Sequence, residues 1–478
     1  MSAPETPLWA LIYFGVEWVL RLVMLAVVPL RRSPAVSQSW LLLIFFLPIP
    51  ALALYLLVGR PHLSPERHRR MEEMNERLLP TLSHLEHDPL VAEPDFPTAH
   101  LPAVQLARHL SDLPTLGGNH AELIGEYEAV FARLCEDIDN AAHSVHMAFY
   151  IATLDDSTRP VITALTRAAR RGVHCRVLLD AYGAKKDRRA LERALDVPGI
   201  DLALSFPLTR PRRGLSRFDL RNHRKLVIID GHIGYTGSQN LTAPRLRRGL
   251  ENVELVLRLR GPIVLELQYI FVGDWFLETD ALHTAPELFP APRAYGTSVA
   301  QGLPSGPEYP VAIQQRLIVT LLHAATDCVT LTTPYFIPDE SLLLALQSAA
   351  QRGVRVRLIV SETLDHRLVQ WAQESWYEEL LEEGVEIHRY QGGFLHAKHA
   401  VFDGRISLIG SANLDIRSGQ LNAEFGLLFY DTAMADALTQ AQAGYLKHAY
   451  PLELETWRTR PPGRRFLANL CRLASPLL

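Results

Sequence analysis

The chain has 478 residues, 48% of them hydrophobic and 21% charged, which is room for two ordinary domains or one large two-lobed body behind an apolar N-terminal stretch. A formal net charge of -4 supplies no global basic field and argues against nucleic-acid binding through whole-protein electrostatics. Four widely separated cysteines, Cys135, Cys175, Cys328 and Cys471, have no Cys-x-x-Cys or metal-like spacing and read as reduced thiols in a cytosolic compartment.

Two apolar runs open the chain, Leu8 to Leu30 and Trp40 to Gly59, each near the roughly 20 residues a helix needs to cross a hydrocarbon core. Joined by a short turn, they predict a transmembrane helical hairpin over residues 1–60; Met1 to Pro7 lacks the basic residues of a cleaved signal. Glu17 and Arg21 stand at i,i+4 spacing, where they share one helix face and neutralise each other, snorkelling or turned toward the second helix. Pro48 and Pro50 interrupt the second run, so a kinked or re-entrant segment is the alternative to a straight span. Arg31 and Arg32 occupy the turn, against Arg60, Arg67, Arg69, Arg70 and Arg77 after it, and this bias places the large C-terminal part in the cytoplasm.

Residues 61–118 read as an irregular connector, with prolines at 80, 89, 94, 97, 102 and 114. The Pro/Gly-rich stretch Pro286 to Pro310 then divides the body into two lobes, 119–285 and 286–478. In the first lobe Val145 to Ile151 reads as a strand, Pro160 to Arg171 as a helix ended by Gly172, and Val173 to Leu179 as a strand. The second lobe repeats this with Val329 to Tyr335, a helix over Ser341 to Arg352 ended by Gly353, and Val354 to Val360. The words match too: Ala-Ala-Arg-Arg-Gly-Val-His-Cys-Arg-Val-Leu-Leu from 168 beside Ala-Ala-Gln-Arg-Gly-Val-Arg-Val-Arg-Leu-Ile-Val from 349. Strand, helix, strand predicts an α/β fold of largely parallel sheets covered by helices, two similar lobes packing as a pseudo-dimer about a local two-fold axis.

A shorter pattern follows in each lobe. His223-Arg224-Lys225, Asp230, Gly237-Ser238 and Asn240 recur with the same internal spacing as His396-Ala397-Lys398, Asp403, Gly410-Ser411 and Asn413. These are the only two His-x-Lys triplets among 19 histidines, and a duplicated imidazole and ammonium set predicts one phosphate-handling site built from two halves. Residues two apart in a strand share a face, so each copy can present His and Lys to one pocket. Asp230 and Asp403 belong to this candidate catalytic set, yet Asp-Gly between apolar runs is a hairpin signal that favours shaping the turn over touching substrate. In Gly-Ser-x-Asn the small residue allows close backbone approach, while the hydroxyl and carboxamide of Ser238, Asn240, Ser411 and Asn413 can donate to phosphate oxygens. Asn252-Val253-Glu254 and Asn422-Ala423-Glu424 follow the two copies at similar distances. A carboxylate bonded to one imidazole nitrogen fixes the tautomer, the role expected of Glu254 and Glu424; the alternative is a plain strand-edge glutamate.

From about residue 120 to its end, the chain resembles the phospholipase D superfamily at these doubled motifs. A finer resemblance to bacterial cardiolipin synthases rests on the N-terminal hairpin, Leu178-Leu179-Asp180-Ala181-Tyr182-Gly183, Thr333-Pro334-Tyr335-Phe336-Ile337-Pro338 and Gly410-Ser411-Ala412-Asn413-Leu414-Asp415-Ile416-Arg417-Ser418. The first copy, Gly-Ser-Gln-Asn-Leu-Thr-Ala, lacks the Asp-x-Arg-Ser continuation of the second. The resemblance implies that one histidine attacks phosphorus while the other protonates the leaving alcohol and then activates the acceptor. His223 is assigned as nucleophile and His396 as acid/base, the reverse staying open because the halves are nearly symmetric. Lys225, Lys398, Asn240 and Asn413 would hold the phosphoryl oxygens, with no metal or other cofactor required.

The implied reaction moves a phosphatidyl group from one phosphatidylglycerol to the glycerol hydroxyl of another, at the bacterial inner membrane, in a multi-pass protein with no nucleic-acid partner. Hydrolysis by a membrane-tethered phospholipase or nuclease, and phosphatidylethanolamine as donor, are the alternatives. The segment Arg210 to Lys225 interleaves arginines with Leu215, Phe218 and Leu220, either as a dock for anionic head groups or as a solvated loop. The tail from Phe466 reads as a helix that docks on the body or touches the membrane.

Overall fold

In the computed structural model the first apolar run is a helix, Leu8–Val27, whereas the second is broken into Pro34–Phe46 and Pro48–Leu54 and continued by a π-helical turn, Tyr55–Gly59. Pro48 has no N–H to donate and its ring opposes the carbonyl four residues back, so the second stretch bends there. The structure describes residues 8–30, 34–59, 63, 65–85, 88–93, 99–207, 219–245, 249–309, 312–473 and 475. Among these, Leu8–Val27 is the one helix both long and apolar enough to cross a membrane. Arg21 pairs with Glu17 at 3.1 Å, donates to the Phe45 carbonyl at 3.0 Å and lies over the Trp18 and Phe45 rings. Arg31, Arg32 and Arg60, on which the expected orientation partly rests, lie outside the described residues, as does most of the basic segment from Arg210 to Phe218.

The chain separates into two compact units: Met1–His68 with Leu208–Leu220, and Arg69–Pro207 with Arg221–Leu478. Both expected lobes therefore fall in the second unit, apart from Leu208–Leu220 of the first lobe. The connector is also more ordered than its prolines suggested. Pro65 and Pro102 sit in the first turns of helices Pro65–Leu78 and Leu101–Ser111, where a missing N–H costs nothing. Ala103, Val104 and Ala107 of the latter helix join the core of the second lobe.

The first lobe contributes strands β1 (Leu116–Ile124), β2 (Ser144–Phe149), β3 (His174–Asp180), β4 (Ile200–Ser205), β5 (Arg221–Asn222), β6 (Leu226–Ile229), β7 (Ile233–Gly237), β8 (Asn252–Val253) and β9 (Val256–Arg260). The second contributes β10 (Ser298–Ser305), β11 (Cys328–Thr332), β12 (Phe336–Ile337), β13 (Arg355–Ser361), β14 (Glu386–Tyr390), β15 (Phe394–Leu395), β16 (His399–Phe402), β17 (Ile406–Gly410), β18 (Leu414–Asp415), β19 (Asn422–Phe429) and β20 (Ala449–Pro451). The main path runs β20-β14-β13-β11-β16-β17-β19-β10-β1-β9-β7-β6-β2-β3-β4, so the lobes share one sheet through the antiparallel β1–β10 seam. Along that path only β2-β3-β4 and β11-β13-β14 are parallel, and off it the two-residue pairings β5–β19, β8–β15 and β12–β18 are parallel as well. The rest of the path is antiparallel, including the tight hairpin that follows each His-x-Lys segment, which corrects the expectation of largely parallel pairing. The expected strand-helix-strand units are present, with helices Arg159–Arg170 and Glu340–Gln351 closed by left-handed Gly172 and Gly353. The helix Ile263–Thr279 is buried on almost every side and packs within the central core, its buried Glu266, Gln268 and Asp274 hydrogen-bonded to Gly302, His146 and Asn222.

The Asp-Gly turns hold the lobes' hairpins in place. Asp230 and Asp403 adopt left-handed φ of 52° and 50°. The Asp230 carboxylate accepts the backbone N–H groups of Ala142, His143 and Ser144 at 2.7–2.8 Å. That of Asp403 accepts those of Thr326, Asp327 and Cys328 at 2.9–3.0 Å. Each thus clamps the β6–β7 or β16–β17 turn to the entry of β2 or β11, and neither lines the cavity described below. They are turn clamps and not members of the catalytic set. Asp230→Ala and Asp403→Ala are expected to lower stability by about 1–3 kcal/mol each, the cost of losing three backbone N–H bonds to one carboxylate, while leaving turnover per folded molecule intact. Thermal unfolding of the solubilised protein alongside its specific activity checks this.

Candidate active site

Short strands bring the two motifs together across the lobes. β5 pairs in parallel with the start of β19, and β8 with β15, so each His-x-Lys segment lies beside the Asn-x-Glu strand of the other lobe. The His223 N–H donates to the Ala423 carbonyl and the His396 N–H to that of Val253, both at 2.8 Å. As a result the imidazoles are paired crosswise. His223 Nδ1 lies 2.8 Å from Glu424 Oε2, and His396 Nδ1 lies 2.8 and 2.9 Å from the two oxygens of Glu254. With the carboxylates ionised, each Nδ1–H donates and each Nε2 keeps its lone pair.

Ser238 and Ser411, expected as phosphate donors, lie behind the site instead. Ser411 Oγ donates to Glu424 Oε2 at 2.5 Å and accepts the Phe425 N–H at 3.0 Å. Ser238 Oγ accepts the Leu255 N–H at 2.9 Å and is bonded to the Glu254 carboxylate. Both hydroxyls are fully buried and already engaged, which corrects their assignment from phosphate contact to anchoring the glutamates. The glycines before them serve a similar end: a Cβ at Gly237 or Gly410 would stand about 2.4–2.5 Å from the carbonyl of Leu255 or Phe425 on the adjacent strand. Asn252 and Asn422 add a carboxamide bond to Glu254 and Glu424, each at 3.2 Å.

Both histidines open onto a cavity of about 410 Å³, whose wall includes Tyr150, Asn240 and Asn252 from the first lobe and Tyr335, Asp365, Phe394, Asn413 and Arg417 from the second. The lysines stand one layer behind, Lys225 and Lys398 each donating its ammonium to the carbonyl of the histidine two residues earlier. Sequence spacing therefore placed His and Lys together correctly, but not both on the cavity wall. Asn240 Oδ1 accepts the Ile151 N–H at 3.2 Å, and Asn413 bonds Ser418.

Several wall residues escaped the sequence reading as site residues. Arg417 and Asp415 were visible only as the Asp-x-Arg-Ser extension of one copy. Tyr335, which donates to Asp365 at 2.5 Å, was visible only as part of the segment Thr333 to Pro338 that carries the family resemblance, and Asp365 carried no signal. Arg224, between the first histidine and lysine, pairs with Asp274 and donates to the Glu424 carbonyl at 3.0 Å; the second copy has Ala397 there. Asp180 is buried, accepts the backbone N–H groups of Tyr182, Gly183 and Asn222, and is raised by that burial to about 6.

Burial dominates the electrostatics. It pushes His223 down to about 4 and lowers His396, with both ammoniums adding to the effect against the pull of the paired glutamate. Burial likewise lowers Lys225 to about 8 and Lys398 to about 7. Burial would raise Glu254 and Glu424, but the facing imidazole and lysine outweigh it, leaving Glu254 at about 2 and Glu424 also below its usual value. The resting site thus holds two ionised carboxylates and two neutral imidazoles, with two lysines whose charge is soft near neutrality.

A pair of neutral imidazoles, oriented through Nδ1 by carboxylates and backed by ammoniums, has the chemistry that two-histidine phosphoryl transfer requires. The chain matches the family described as "Cardiolipin synthase, PLD-like domain" over residues 134–275 and 318–443. It is 34% identical over 477 residues to cardiolipin synthase A of Yersinia pseudotuberculosis and, equally, of Yersinia pestis, covering 97% of each chain. The phosphatidylserine synthase of Haemophilus influenzae shares the fold at a TM-score of 0.60 and 16% identity, over 79% of this chain and 100% of that one. The chain belongs to the cardiolipin synthase family of phospholipase D-like proteins. It is an enzyme that transfers phosphatidyl groups.

His223 is neutral above about 4 and Lys398 is charged below about 7, so turnover is expected to fall on the acid side as His223 protonates and on the alkaline side as Lys398 discharges. Lys398→Arg, which keeps its charge, should move the alkaline limb upward in a pH–rate profile; an unmoved limb would detach it from Lys398.

Proposed function

We propose that this enzyme makes cardiolipin from two phosphatidylglycerol molecules, with His223 as nucleophile and His396 as acid/base. The observation that carries the reading is the pair of imidazoles on one cavity, each with Nδ1 on a carboxylate of the other lobe. His223 Nε2 attacks phosphorus, the bond from phosphorus to the head-group glycerol oxygen breaks, and His396 delivers a proton to that oxygen. The glycerol hydroxyl of a second phosphatidylglycerol then gives its proton to His396 and attacks the phosphohistidine, releasing His223 and forming cardiolipin. Lys225, Lys398 and Arg417 stabilise the charge that builds on the phosphoryl oxygens, and Asn240 and Asn413 donate to them. A phosphodiester anion beside the lysines offsets their field, so the acid/base imidazole gains proton affinity only when substrate is bound.

Direction is supported by one asymmetry. Asp365 and Tyr335 put a hydroxyl-accepting wall on the second lobe, with His396, and a carboxylate there suits a polyol better than a phosphate. We further propose that the N-terminal helices span the bacterial inner membrane, with the catalytic body on the cytoplasmic side, by the bias of basic residues around them.

Labelled phosphatidylglycerol given to purified enzyme in chelator should yield cardiolipin and glycerol, with an acid-labile protein adduct mapped to His223. His223→Ala is expected to abolish product, and His396→Ala to slow it about 10²–10⁴-fold. Phosphatidic acid as the main product would mean a hydrolase; full activity in either variant would remove the assigned site. Asp365→Ala should divert the ratio of cardiolipin to phosphatidic acid toward the acid by about tenfold, the worth of one hydrogen bond of about 1.4 kcal/mol, at unchanged donor affinity. Lipid chromatography of the same reactions reads that ratio.

A further inference from the structure

The helix Pro462–Arg472 is amphipathic, and only one of its faces is used by the body. Ala468 and Cys471 are buried, and Leu467 packs with Ile337 and Val369. Arg464 bonds Glu374 at 3.0 Å, Arg465 bonds Glu378 at 3.1 Å, and Arg472 reaches Glu379 at 3.3 Å while lying 3.4 Å above the Trp376 ring. The helix is thus pinned. Its other face presents Phe466 at 69% exposure and Leu470 at 51%, with Leu473 at 77% just past its end. These positions, four and three residues apart, form one apolar stripe.

The helix that carries the stripe neighbours one that lines the active-site cavity. The helix Pro462–Arg472 packs along the helix Arg367–Glu374, whose Leu368 is 57% exposed and, with Val369, lines the cavity. A cavity of about 410 Å³ has room for head groups but not for the acyl chains of two phospholipids. Each methylene drawn out of the bilayer would cost about 0.8 kcal/mol, so the chains stay in the membrane and the mouth must meet its surface.

We infer that the helix Pro462–Arg472 is an interfacial helix that seats the catalytic mouth on the bilayer through Phe466, Leu470 and Leu473, a step that rests on the lipid reading of the site. The ion pairs to Glu374, Glu378 and Glu379 hold it on the body in one orientation, and the outer stripe inserts at the head-group level. Membrane seating here is a property of the catalytic body itself, in addition to any anchoring by the N-terminal helices.

The full-length protein, carrying a fluorescent amino acid at Leu470 and reconstituted in phosphatidylglycerol nanodiscs, is compared in brominated and unbrominated lipid. Strong quenching by brominated chains is expected, and this readout needs no turnover, so it stands apart from failure of the proposed reaction. Absence of quenching, or cross-linking of Leu470 to a second copy of the chain, overturns the inference. In parallel, a variant combining Phe466→Ser, Leu470→Ser and Leu473→Ser should lose at least tenfold in activity on bilayer phosphatidylglycerol while consuming short-chain soluble phosphatidylglycerol at the unaltered rate. Equal rates on bilayer substrate contradict the assignment, and the short-chain rate guards against a variant that has simply misfolded.

Discussion

Each imidazole in the cavity is held by a carboxylate that belongs to the other half of the repeat, and this crossing constrains the rest of the body. For Glu424 to reach His223, and Glu254 to reach His396, the short strands after each Gly-Ser turn must cross the seam and pair with the partner motif, as β8 does with β15 and β19 with β5. The lobes are then fused through β1 and β10 into one sheet, so neither can hold its own histidine in place without the other. Breaking a buried pair of this kind by removing one partner typically costs about 3–5 kcal/mol, which makes the crossing a structural bond as well as a catalytic one. The serines beside the glutamates, first candidates for phosphate contact, are explained by it: a buried carboxylate needs its remaining lone pairs satisfied, and Ser411, with Asn422, does that for Glu424.

Crossing also sets the electrostatics. Two glutamates and two lysines within one buried volume nearly cancel, and burial settles the remainder by keeping both imidazoles neutral. A neutral imidazole with its proton fixed on Nδ1 is the nucleophilic form, and symmetry offers two of them. What distinguishes the halves lies outside the motif: Arg224 and Asp274 brace the His223 side, whereas Asp365 and Tyr335 line the wall with His396.

Much of this was legible from the chain. Repeated spacing pointed to the βαβ units and to the histidines, lysines and glutamates that the structure brings together, because spacing within a strand or turn is a local property. The crossing was not legible, since each Asn-x-Glu follows its own histidine in sequence and nothing local says that it reaches the other. The roles of Ser238 and Ser411 were misread for a related reason: a hydroxyl next to glycine looks exposed until the adjacent strand, packed onto that glycine, is known to cover it. Prolines misled the connector reading, because Pro65 and Pro102 start helices as readily as proline ends them. Asp365 had no signal at all, standing in a loop whose partners are long-range.

The crossed pairing is tested most directly by NMR of protein labelled with ¹³C at histidine Cε1, titrated as wild type, Glu424→Gln and Glu254→Gln. Glu424→Gln should shift the titration of His223 and leave His396 in place, and Glu254→Gln should do the reverse. If each substitution instead moved the histidine of its own repeat, the lobes would be self-contained and the account given for the site would be wrong.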